Sequence, residues 1–133
     1  MRLAKIHVPK SRCDEQRLSA LSRSVQEVLI SVLRITPDDF FQIIYEVSRK
    51  RFLHTPSFVA MKLSDDIIVL DLAFIAGGSK ETRLALLKAL NTRSVTAIGI
   101  SPDDVVIHLI EGPGENFSFG QGLAQRARIS QSA

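Results

Sequence analysis

The chain has a single cysteine, Cys13, and no tryptophan. One cysteine excludes an internal disulfide and leaves no second thiolate for a metal site. The three histidines, His7, His54 and His108, are scattered and lack the close spacing of a metal-binding pair. No apolar run approaches the roughly 18 residues that a membrane helix needs. The first residues, Met1-Arg2-Leu3-Ala4-Lys5-Ile6, lack the apolar stretch of a signal peptide. These absences argue against a membrane partner and make a cytoplasmic protein the simplest reading. Aromatics are scarce too, with seven Phe and one Tyr. None interleaves the one tight basic cluster, Arg49-Lys50-Arg51. The net charge of +3 therefore suits small anionic ligands better than nucleic acid.

What is present is enough for one core. The 133 residues are 45% apolar, which fits a single domain over residues 1–133. Residues 3–8 alternate and end at Pro9, as a short strand does. Ser11 is placed to cap a helix whose first turn carries Asp14 and Glu15, matched to the helix dipole. Leu18, Leu21, Val25, Val28, Leu29 and Val32 then follow at spacings of three and four, which makes one helix face apolar. The helix stops near Arg34-Ile35, before the turn Thr36-Pro37-Asp38-Asp39. A strand over residues 41–47 follows, and residues 48–64 read as irregular. Residues 67–75 form a nearly continuous apolar run, the mark of a central strand. Ser79 caps a second helix whose core face is expected to use Leu84, Leu87, Leu90, Val95 and Ile98. Residues 105–110 form the fourth main strand, and a Gly-, Ser- and Gln-rich tail runs from 112 to 133.

Two segments repeat. Ile35-Thr36-Pro37-Asp38-Asp39 and Ile100-Ser101-Pro102-Asp103-Asp104 stand 65 residues apart. Each follows an amphipathic helix and precedes an apolar strand that ends in a glutamate, Glu46 or Glu111. The chain thus reads as α/β, two fused β-α-β units. Repeat one covers about 1–47, a linker 48–64, repeat two about 65–111, and the tail 112–133. Right-handed crossovers put both helices on one face of a four-stranded mixed sheet. The other face keeps apolar residues, so self-association is expected.

Several segments carry a family resemblance. Ser64-Asp65-Asp66-Ile67-Ile68-Val69, Ala76-Gly77-Gly78-Ser79 and Gly99-Ile100-Ser101-Pro102-Asp103-Asp104-Val105 are three of them. Glu115-Asn116-Phe117-Ser118-Phe119-Gly120-Gln121-Gly122 and Asp38-Asp39-Phe40-Phe41-Gln42 are two more. Together they resemble the tautomerase superfamily over roughly residues 1–127, in its malonate semialdehyde decarboxylase-like branch. The resemblance implies a homotrimer without cofactor or metal. It implies keto-enol tautomerisation or decarboxylation of small 2-keto, enol or semialdehyde carboxylic acids. In that family an N-terminal proline moves the proton, with its pKa lowered by an apolar pocket. Arginines hold the substrate carboxylate.

This chain has Arg2 where the proline belongs. Methionine is usually retained before so bulky a residue, which leaves the Met1 amine, of ordinary pKa about 7.7–8.0, as the terminal base. Ala76 and Gly78 stand where paired arginines are expected in the decarboxylase branch. Phe40 and Val47 replace a frequent arginine and histidine. Asp39 matches a catalytic carboxylate of that branch, although the same turn in repeat two uses Asp104, so a capping role is the alternative. Arg2, Gln42, Arg51, Phe117 and Phe119 are the candidate contacts to a small carboxylate ligand. Arg2 reads equally well as a solvated terminus, Arg51 as a solvated loop residue, and the two phenylalanines as anchors of the tail. Cys13 lies just before the first helix, where a dipole lowers a thiol pKa. Two functions stay open: a diverged tautomerase-like enzyme, and a non-catalytic trimeric binding or structural protein.

Overall fold

A computed structural model describes residues 2–127. Its elements in chain order are β1 (Arg2–Pro9), α1 (Glu15–Leu33), β2 (Phe41–Val47), β3 (Ser57–Phe58) and β4 (Met61–Lys62). These are followed by β5 (Ile68–Ile75), α2 (Lys80–Ile98) and β6 (Val105–Gly112). The main sheet has the order β2-β1-β5-β6. β1 runs parallel to β2 and β5 parallel to β6, while β1 and β5 meet antiparallel at the centre. The sheet is therefore mixed, as two parallel β-α-β units joined side by side require.

The internal repeat is visible in the helices. Both have 19 residues and their starts and ends stand 65 apart (80 − 15 and 98 − 33). Both end on a left-handed residue, Arg34 or Gly99, whose N–H returns to the carbonyl of Ile30 or Val95. The N-caps, Asp14 and Ser79, keep the same offset. Asp14, and not Ser11, caps α1: its carboxylate accepts from the Arg17 N–H at 2.8 Å. Ser11 instead takes φ 70° in the turn that redirects the chain.

The helices cover one sheet face. Ala4, Ile6 and Val8 of β1 and Ile68, Leu70, Leu72 and Phe74 of β5 are buried beneath them. α1 contributes Leu21, Val25 and Leu29, and α2 contributes Leu86, Leu90 and Ile98. The expected core face of α2 is partly corrected here. Leu84 is 54% exposed and Leu86 is fully buried. Two residues turn a helix through roughly 200°, so those two leucines cannot share a face. The buried row 86-90-94-98 is a fourfold spacing that includes a polar residue, Ser94.

The opposite face is uncovered. Phe41, Ile43 and Tyr45 on β2 and Val106 and Ile110 on β6 are exposed. Its centre is polar. The Asp71 carboxylate lies 3.2 Å from His7 Nε2 and 3.4 Å from His108 Nδ1. The His7 ring also stacks on Tyr45, with centroids 4.8 Å apart.

Residues 48–64 are more ordered than their composition suggests, since β3 and β4 form a hairpin there. Its turn residues, Val59 and Ala60, have φ of 43° and 66°. The hairpin is tied to the segment before β6. Asp103 accepts from the Lys62 N–H at 3.0 Å. Asp104 accepts from the Ser64 N–H at 2.7 Å and from the Ser64 hydroxyl.

Candidate functional site

Strand directions decide which residues meet. β1 and β2 start at the edge of the sheet where β5 and β6 end, so Arg2, Phe74 and Glu111 share one register row. That edge collects the start of β1, Asp39 and Phe40 ahead of β2, the turn 76–78 after β5, and Glu111 with Gly112. Met1 lies outside the described residues, and Arg2 is placed by its backbone pairing with Phe74.

Asp39 is half-buried in the turn before β2. Its backbone N–H donates to the Thr36 carbonyl at 3.0 Å, and its own carbonyl accepts from Gln26 Nε2 of α1 at 3.2 Å. The turn is thus pinned from the helix. Beside it, the Asp38 carboxyl is held below its ordinary pKa by the Thr36 hydroxyl and by a backbone N–H. Gln42 points under α1. It accepts from the Ser22 hydroxyl at 2.6 Å and donates to the Ser22 carbonyl at 3.0 Å. Both ends of its amide are engaged inside the fold.

Phe117 belongs to the same edge. Its ring lies 3.5 Å from the place a Cβ on Gly112 would occupy. The tail folds back tightly at Gly114, where a Cβ would fall 1.9 Å from the Arg126 carbonyl oxygen, so only glycine fits. Phe119 is exposed, and its N–H donates to Gln125 Oε1 at 2.9 Å. Of the two aromatics, Phe117 is the one that packs the tail onto the sheet.

Arg51 lies at the other edge within one chain, beyond the end of β2, and its N–H donates to the Ser48 carbonyl at 2.8 Å. Arg49 there pairs with Asp65. Cys13 also belongs to that edge, in a cavity of about 120 Å³ lined by Pro9, Arg12, Arg17, Asp66 and Gly99 among others. Burial pushes its thiol above the ordinary pKa, and Arg17 opposes this only in part. The lowered pKa expected from the helix start is not what the fold produces, because desolvation outweighs the nearby positive charge. Among the described residues, no group of three or more His, Cys, Asp or Glu side chains is arranged to hold a metal ion.

One pair at the first edge escaped the sequence reading. Arg83, in the first turn of α2, donates from Nη1 to the Gly78 carbonyl at 2.9 Å. The same nitrogen lies 3.3 Å from Glu111 Oε1. Gly78 itself has no left-handed φ, and a Cβ there would meet only Thr82, at 3.7 Å. Neither strain nor crowding requires glycine at this position.

Comparison with known proteins agrees with this fold. The family model described as tautomerase enzyme matches residues 38–120. The chain is 28% identical over 125 residues to the Bacillus subtilis (strain 168) protein named "Probable tautomerase YusQ", covering 94% of this chain and 98% of that one. The structure of FG41 malonate semialdehyde decarboxylase inhibited by 3-bromopropiolate is 27% identical, covers 92% of each chain and superposes with a TM-score of 0.80. A fused 4-OT, solved as a symmetric trimer, has the same fold at 20% identity, with a TM-score of 0.79 over 95% of this chain and 98% of that one.

Proposed function

This chain belongs to the tautomerase enzyme family, and from that premise we propose that it transfers protons in small 2-keto or enol carboxylic acids as a homotrimer. The Met1 nitrogen and Asp39 are the proton-transfer groups. Arg2 and Phe117 belong to the same edge, and the proposed ligand contacts are completed by Phe119 and by Arg51 of a neighbouring copy. Gln42 serves to fix β2 to α1 rather than to touch the ligand, because its amide is already bonded to Ser22.

The observation that carries this reading is the internal repeat. In repeat two, Asp104 accepts the N–H of Ser64, four residues ahead of β5. Asp39 stands 65 residues before Asp104, in the turn ahead of β2, whose first residues pair in parallel with the start of β1. A carboxylate placed beside that segment can hold a water or orient an amine for general catalysis. The apolar uncovered face supports the homotrimer, as does the trimeric state of a protein with the same fold.

A second reading has its own support. Arg2, Ala76 and Gly78 replace the three groups that the family chemistry uses, which favours a non-catalytic trimer that binds a carboxylate. Ketonisation of phenylenolpyruvate, followed by ultraviolet absorbance, separates the two. The first reading expects a rate above the buffer blank from pure native trimer. A rate equal to the blank leaves the second reading.

A further inference from the structure

We propose that Arg83 binds the substrate carboxylate and so replaces the arginine missing at Gly78. The proposal rests on the reading of this edge as the site for small carboxylic acids. Arg83 starts five residues after Gly78, yet its guanidinium returns to the Gly78 carbonyl at 2.9 Å. The positive charge is thus delivered to the turn that has lost its own. Glu111 at 3.3 Å holds the side chain in this direction from β6.

Valence supports the assignment. Both described contacts use one nitrogen, Nη1. A guanidinium carries five N–H donors in a rigid fork. Nη2 and Nε together form the edge that a carboxylate meets bidentately, and among the described residues neither has a partner. The side chain is 38% exposed, so it is not sealed inside the fold. Glu111 lies two strands from Arg2 in the same register row, about 10 Å by ordinary strand spacing. An arginine held beside Glu111 and a three-carbon acid together span such a gap.

The competing account is structural: Arg83 merely ties α2 to β6. Calorimetric titration of the full chain separates the two, with phenylpyruvate as the probe and phenylacetone, which lacks the carboxylate, as control. Arg83→Ala is expected to weaken phenylpyruvate binding at least tenfold, about 1.4 kcal/mol. Arg83→Lys keeps the charge without the fork and falls between. Circular dichroism of both variants should match the wild type, and phenylacetone binding should not change. Wild-type affinity for phenylpyruvate in Arg83→Ala overturns the proposal. So does an equal loss of both probes, or no binding of phenylpyruvate to the wild-type chain. Enol turnover is read in parallel: turnover with no effect of Arg83→Ala sinks this assignment alone. Carboxylate binding through Arg83 without turnover sinks the catalytic reading alone.

Discussion

Replacing Ser94 by alanine should stabilise the protein. Ser94 is 1% exposed on the buried row of α2, and its hydroxyl has no hydrogen-bond partner among the described residues. Its equivalent in repeat one, 65 residues earlier, is Leu29, which is buried in the core. A buried hydroxyl without a partner costs about 1–3 kcal/mol in desolvation. Alanine removes that cost and gains a few tenths in helix propensity, roughly 0.5 kcal/mol. Against this stands the small void left by one oxygen, worth less than about 1 kcal/mol. The net gain is about 1–2 kcal/mol. With an unfolding entropy of about 2.1 cal/mol/K per residue over 133 residues, that raises Tm by roughly 4–7 °C. Calorimetry at one fixed protein concentration measures it, since assembly makes Tm depend on concentration. A fall in Tm would refute the reasoning and mean that the hydroxyl donates to a partner, such as a carbonyl one helical turn back.

Asp104→Ala should act in the opposite sense. It removes a buried carboxylate that accepts the N–H and hydroxyl of Ser64, so chemical denaturation should show a loss of roughly 3 kcal/mol or more. Cys13 should react with Ellman's reagent at pH 8 more slowly than free cysteine, because a raised pKa leaves less thiolate. The same shift means that the fold favours the neutral thiol. That contribution to stability holds below the ordinary thiol range and fades as pH rises through the raised value. Ile43→Asp places a charge on the uncovered face beside the exposed Phe41 and Tyr45. Sedimentation velocity should then show monomer where the wild-type chain shows trimer.

The repeat was legible because turns carry their own chemistry: two Pro-Asp-Asp segments 65 apart announced both units and both crossovers. The face of α2 was harder to read. Leu84, Leu87 and Leu90 offer a threefold spacing as regular as the true fourfold one, and Ser94 hides a core position behind a polar side chain. Alignment of α2 on α1 by the repeat would have chosen the right row, since Leu21 and Val25 map onto Leu86 and Leu90. The β3–β4 hairpin was not legible because its turn, Val59-Ala60, uses none of the residues that favour positive φ. The edge that gathers Asp39, Phe117 and the turn 76–78 follows from strand direction alone. The contact of Arg83 with Gly78 and Glu111 does not. It depends on a side chain folding back over a helix start, which no spacing rule encodes.

The proposed proton-transfer site joins Asp39 and the amine ahead of Arg2. Its most direct test is phenylenolpyruvate ketonisation by three samples of the full chain. These are wild type with the mass of its terminus established, Asp39→Asn, and wild type with the terminal amine blocked. Turnover by the wild type and a loss of about a hundredfold or more in each altered sample are expected. A wild-type rate equal to the buffer blank, or full activity in both altered samples, would contradict it.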